Sequence, residues 1–109
     1  MQLDLATFVV RDYDAAIAFF TEVLGFVVTE DEPSLTNDGR PKRWVVVRPP
    51  GGGTGLLLAR ADGAEQERAV GNQGAGRVTF FVRVDDFQAA HDRLVARGNT
   101  WDLLGPRAG

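Results

Sequence analysis

The side chains able to do chemistry are few. The 109 residues hold a single histidine, His91, and no cysteine, which excludes disulfides, thiolate metal sites and a cysteine nucleophile. A non-haem iron centre wants two imidazoles and a carboxylate. A zinc site here would be built almost wholly from carboxylates, an unusual set for that ion. His91 falls midway along a helical pattern beside Phe87 and Leu94, where a helix-surface or boundary role accounts for it. Asp102 is the sharpest carboxylate: it could hold an amine or hydroxyl, or sit half-exposed, bonded to Thr79 or a backbone amide. Arg60 and Arg83 stand at strand ends, where they could receive an anionic group or be solvated. Trp44 could form a stacking wall or belong to a sheet or dimer core.

Two glycine-rich stretches invite a phosphate-binding reading and fail it. "PPGGGTG" (residues 49–55) lacks a Gly-Lys-Ser/Thr ending and precedes a strand instead of a helix, so it reads as a flexible hairpin loop. "GNQGAG" (71–76) lacks the dinucleotide fingerprint. No nucleotide cofactor is implied.

Composition narrows the classes further. With 44% apolar and 25% charged residues the chain is an ordinary globular sequence, long enough for one core that buries about two thirds of the unfolded surface. A net charge of -3 gives no field for a polyanion, so nucleic acid is not an expected partner. No run approaches the roughly 18 apolar residues of a membrane span, and "MQLDLATF" lacks a basic region ahead of an apolar one. No membrane partner and a cytoplasmic location are therefore the expectations.

The elements that must position these groups follow from periodicity. Residues 3–10 read as a strand, with Ala6, Phe8 and Val10 on one face and Leu5, Thr7 and Val9 on the other. Asp12 or Asp14 caps a helix that runs from Ala15 to Gly25, a natural terminator, with Ile17, Phe20 and Leu24 as its apolar stripe. Residues 26–30 form a strand, 31–39 a solvated turn, and 43–47 and 55–59 two further strands. Residues 60–76 are polar, irregular or weakly helical. A strand then opens at "GRVTFFVRV" (76–84), followed by a capped helix over 86–97 that stops at Gly98. Thr79, Val84, Asp86, Phe87 and Ala89-Ala90 repeat Leu5, Val10, Asp12, Tyr13 and Ala15-Ala16 at one constant offset, an internal repeat. The tail offers only one more strand, 100–104. A complete second unit would need roughly twenty more residues between Gly98 and Asn99, the span of two strands and their turns; the alternative is a shortened unit with exposed edges.

"VRDYDAAIAFFTEVLGF" (10–26), "RWVVVRPPGGGTGLLLA" (43–59), "VRVDDFQAAHDRLVARG" (82–98) and "GNTWDLLGP" (98–106) resemble the vicinal oxygen chelate superfamily of glyoxalase I, bleomycin resistance proteins and extradiol dioxygenases, most closely its bleomycin-resistance-like branch. The resemblance implies an α+β fold of paired βαβββ modules forming a curved, cup-like mixed sheet. Module one would be residues 1–59, the linker 60–76 and module two 77–109, with the cup completed in a homodimer. Metal-using relatives place four ligands on strands, and those positions fall on Leu5, Leu58, Thr79 and Asp102. Two leucines and a threonine depart from the His and Glu of that pattern. With the expected strand parity, Leu5, Leu58, Thr79, Phe81 and Asp102 line the cup, Arg60 and Arg83 share its parity, and Trp44, whose facing stays open, could join the wall, making an apolar surface with few polar handles. The expected function is metal-independent binding or sequestration of a small, partly apolar organic molecule. The rivals are a glyoxalase- or dioxygenase-like metalloenzyme with a displaced site and a structural or regulatory dimer whose cup is filled by side chains such as Trp44 and Phe81.

Overall fold

Asp12 settles where the first helix starts. Its backbone is extended and its carboxylate accepts the Ala15 N–H at 2.8 Å, satisfying one of the orphan amides of the first turn. In the computed structural model, which describes residues 1–97, the chain runs β1 (Leu5–Val10), α1 (Tyr13–Ala18), a π turn (Phe19–Val23), β2 (Val27–Leu35), β3 (Pro41–Arg48), β4 (Gly55–Arg60), α2 (Ala64–Ala69) and α3 (Phe87–Arg97). Gly25, at φ +74°, ends the first helical segment as a left-handed residue. Asp86 repeats the role of Asp12, accepting the Ala89 N–H at 3.0 Å, so the internal repeat is carried into structure at both helix starts.

The four strands form one mixed sheet in the order β1-β4-β3-β2. β1 lies parallel to β4, with Phe8 opposite Leu58 and Ala6 opposite Leu56, while β3 runs antiparallel to both β4 and β2. Phe8, Val10, Val45, Val47, Leu56 and Leu58 therefore share one face, and they pack beneath Ala16, Phe19, Phe20 and Val23. Phe8 and Phe20 meet edge to face at 5.9 Å, a favoured aromatic geometry. Gly55 is required where β4 begins: an added Cβ would stand 2.9 Å from Arg48 Cγ and 3.1 Å from the Val47 carbonyl oxygen.

Three sequence expectations change. β2 is longer than residues 26–30, because the stretch read as a turn continues the ladder to Leu35 opposite Pro41; Pro33 is tolerated since β2 is an edge strand. Residues 76–84 do not form a strand. A strand exists only through a partner's hydrogen bonds, and at the outer edge of β1 the Gln73 amide already accepts from Val9 N–H at 2.8 Å and donates to Val9 C=O at 2.6 Å. Phe80 nevertheless packs against Phe8, ring centroids 5.1 Å apart, on the helix side of the sheet. Arg93 of α3 donates to the Val23 carbonyl at 2.9 Å, seating that helix on the π turn.

The third change is the facing of β4. Leu58 was expected on the cup side, but it is fully buried in the helix-side core. The register that places Phe8 opposite Leu58 fixes this, and a shift of one residue exchanges the two faces of a strand.

Candidate functional site

With α1 and the π turn covering one face, the other face of the sheet carries Leu5, Thr7 and Val9 on β1, Leu57 and Ala59 on β4, and Trp44 and Val46 on β3. Continuing the alternation outward, Trp44 stands opposite Glu32 and Val46 opposite Glu30 on β2. This open face is thus apolar over three strands and acidic at its β2 edge. Glu30 and Glu32 escaped sequence reasoning because their stretch was divided between a short strand and a turn; the alternation Glu30, Glu32, Ser34 was the signal.

The sheet also splits. β3 and β4 are paired only from Val45–Leu58 to Val47–Leu56, although β3 begins at Pro41 and β4 continues to Arg60. Beyond that point Ala59 and Arg60 stay with β1, and Arg43 and Trp44 stay with β2. A register shift between Val28 and Glu30 adds twist to the β2–β3 ribbon. The separating strands leave a cleft of about 630 Å³, lined by Trp44, Leu57, Ala59, Arg60, Tyr13 and Lys42 among others, with the 36–40 hairpin at its rim.

Tyr13, the first residue of α1, plugs the helix side of this split. Its hydroxyl accepts the Arg43 backbone N–H at 3.2 Å. The guanidinium carbons of Arg43 and Arg60 each lie 5.2 Å from its ring centroid, within cation–π range. Sequence reasoning missed Tyr13 because it looked like an ordinary first-turn aromatic. Only the tertiary arrangement brings both arginines to it.

The charges around the cleft divide into satisfied and available. Arg40 forks onto Asp62 at 2.8 and 3.0 Å and bonds Asp38 at 3.0 Å. Arg43 is held by Asp31 at 2.7 Å and Asp14 at 2.8 Å. The hydrogen bond from Arg43 keeps Asp31 below its ordinary carboxylate value, and Arg40 does the same for Asp62. Asp38 is lowered first by its bond from the Thr36 hydroxyl and then by Arg40. Both guanidiniums are correspondingly raised, Arg40 chiefly by Asp62 and Arg43 chiefly by Asp31. Arg60 makes no ion pair among the described residues; the Tyr13 ring holds it.

The expected site residues are thereby separated. Trp44 is 37% exposed, on the open face and in the cleft. Leu5 lies half-buried on the same face. Arg60 shares the helix-side parity of Val10, contrary to its expected facing, yet from the end of β4 it lines the cleft. Thr79, Phe81 and Arg83 are exposed in the unpaired 76–84 stretch, Phe81 at 92%, and do not join the cleft. Asp102 lies outside the described residues.

The metal-ligand pattern does not fit. Leu5 offers only hydrocarbon, Thr79 belongs to no strand, and the open-face neighbour of Leu58 is Leu57, again hydrocarbon. Among the described residues no three His, Cys, Asp or Glu side chains gather where they could hold an ion.

Comparison with known proteins agrees with the fold. The family model for the Glyoxalase/Bleomycin resistance protein/Dioxygenase superfamily matches residues 2–107. An uncharacterized protein of Shewanella frigidimarina (strain NCIMB 400) is 47% identical over 91 residues, covering 83% of this chain and 65% of the relative. The chain thus spans just under two thirds of that relative's length. The uncharacterized protein YurT of Bacillus subtilis (strain 168) is 31% identical over 106 residues, covering 93% and 78% respectively. Among solved structures, TnmS3, an antibiotic binding protein from Streptomyces sp. CB03234, superposes with a TM-score of 0.66 at 28% identity, covering 90% of this chain and 71% of that one. An α+β chain with this mixed sheet, matched over nearly its whole length, belongs to the Glyoxalase/Bleomycin resistance protein/Dioxygenase superfamily.

Proposed function

We propose that this protein binds a small, partly apolar organic molecule without a metal, on the open face of its sheet around Trp44 and Leu57. One observation carries the reading: the face that metal-using members would furnish with ligands presents half-buried Leu5 and Leu57 and a part-exposed Trp44. Apolar walls with a few polar groups at one end suit the burial and orientation of a ligand. The likeness to an antibiotic binding protein supports sequestration over turnover.

The binding cup is completed by pairing of βαβββ modules in a homodimer. Module one comprises residues 1–59, the linker 60–76 and module two 77–109. A partner copy would cover the open face and bring Thr79, Phe81, Arg83 and Asp102 to the wall, with Leu57 taking the place first given to Leu58. Large exposed side chains at Phe81, Phe87 and Val95 are consistent with surface that association covers.

Native mass spectrometry of the purified full chain tests this reading. A dimer free of metal but carrying an organic adduct, with the adduct lost in Trp44→Ala, is the expected result. One metal ion per subunit, required for retention of the adduct, would overturn it.

A further inference from the structure

The class of ligand can be narrowed, on the footing of the binding reading above. We infer that the cleft between the parting ends of β3 and β4 takes an aromatic anion, its carboxylate on Arg60 and its ring against Trp44 and Leu57. Four cations line this cleft, Arg40, Lys42, Arg43 and Arg60, and they are not equivalent. Arg40 and Arg43 each engage two carboxylates. Arg60 has no carboxylate partner among the described residues, and no ion pair involves Lys42 there. Asp62 feels the charge of Arg60 but presents both oxygens to Arg40.

Arg60 is also preorganised. Its position over the Tyr13 ring restrains the side chain, no hydrogen bond from its guanidinium is formed among the described residues, and a planar guanidinium so held is suited to a carboxylate. Tyr13 is itself buried and tied to the Arg43 backbone, so the platform is rigid. The apolar part of the cleft adjoins this cation through Ala59, Leu57 and the indole of Trp44. Glu30 and Glu32, on the open face beyond Trp44, repel an anion from the β2 side and direct the ring over β4. Apolar wall, a cation without an ion pair among the described residues, and acidic boundary define an orientation as well as a charge.

Calorimetric titration of the full chain with 2-naphthoate, 2-naphthalenemethanol and 2-naphthylmethylammonium tests the inference, with the Trp44 indole N–H followed by NMR. Naphthoate should bind about tenfold more tightly than the alcohol, the difference a charge-assisted hydrogen bond makes. Arg60→Gln should abolish that advantage while leaving the alcohol unchanged, and Arg60→Lys should restore part of it. Equal binding of all three probes with the Trp44 signal displaced would overturn the anion inference and leave apolar binding standing. Preference for the ammonium probe would also overturn it, and would assign the polar end to Glu30 and Glu32. Binding of none of the probes at millimolar concentration would overturn the binding reading and this inference together.

Discussion

At the scale of single residues, the same side-chain type takes opposite roles one position apart. Leu58 is sealed between Phe8 and Val45, so Leu58→Ala should cost about 2–5 kcal/mol, read as a lower denaturation midpoint with little change in the slope. Leu57→Ala on the open face should cost less stability and more ligand affinity. Asp12→Ala removes a cap hydrogen bond and should lower stability by about 1 kcal/mol. Acid titration reports on the paired aspartates. Asp31, Asp38 and Asp62 have lowered values in the fold, so their contribution is present above the unfolded value of about 4 and is lost as pH falls through the folded values. The stability gap between the wild type and Arg43→Gln should therefore narrow as pH drops from 7 to below 4, as followed by urea unfolding at each pH. All these groups are substantially exposed, and added salt should shrink the gap as well.

At the scale of elements, hydrogen-bond partners separate segments that look alike by composition. "VVV" in β3 and "FFV" near residue 81 are both β-prone, but Val45, Val46 and Val47 are paired on both sides and residues 80–82 belong to no ladder. Hydrogen exchange should find the β3 amides among the slowest in the chain and those of residues 78–84 among the fastest in the monomer. Protection of 78–84 that increases with protein concentration would report the proposed module pairing. The first helical segment illustrates a subtler case. Its buried residues include Phe19, Phe20 and Val23, and the backbone widens to a π turn there, with the Thr21 hydroxyl bonded to the Ile17 carbonyl at 2.8 Å. Ile17, Phe20 and Leu24 are spaced for an ordinary helix, so nothing in that pattern distinguishes the wider turn.

At the scale of the whole molecule, one face of the sheet is packed beneath helices and the other is part-exposed at Leu5, Val9, Leu57 and Trp44. A parallel β1–β4 pair ordinarily has both faces covered, and here Leu5, Val9, Leu57 and Trp44 face away from the core. A homodimer that covers this face should show a subunit association that Trp44→Glu weakens, measured by sedimentation as a shift toward monomer. None of the described helices is long and apolar enough to cross a membrane.

The sequence by itself determined the order β-α-β-β-β, an aspartate cap at the start of the first helix and of α3, the glycine that ends the first helical segment, and a content of one histidine and no cysteine. These are local properties: periodicity, capping and residue chemistry act over a few positions. Only the tertiary structure decided the facing of β4, since parity depends on register against a strand some fifty residues earlier. It also decided that residues 76–84 would stay unpaired, because a ladder is a property of two strands. The meeting of Tyr13 with Arg43 and Arg60 belongs to the same category: it arises where β3 and β4 part, and neither strand records in its own residues where the other will leave it.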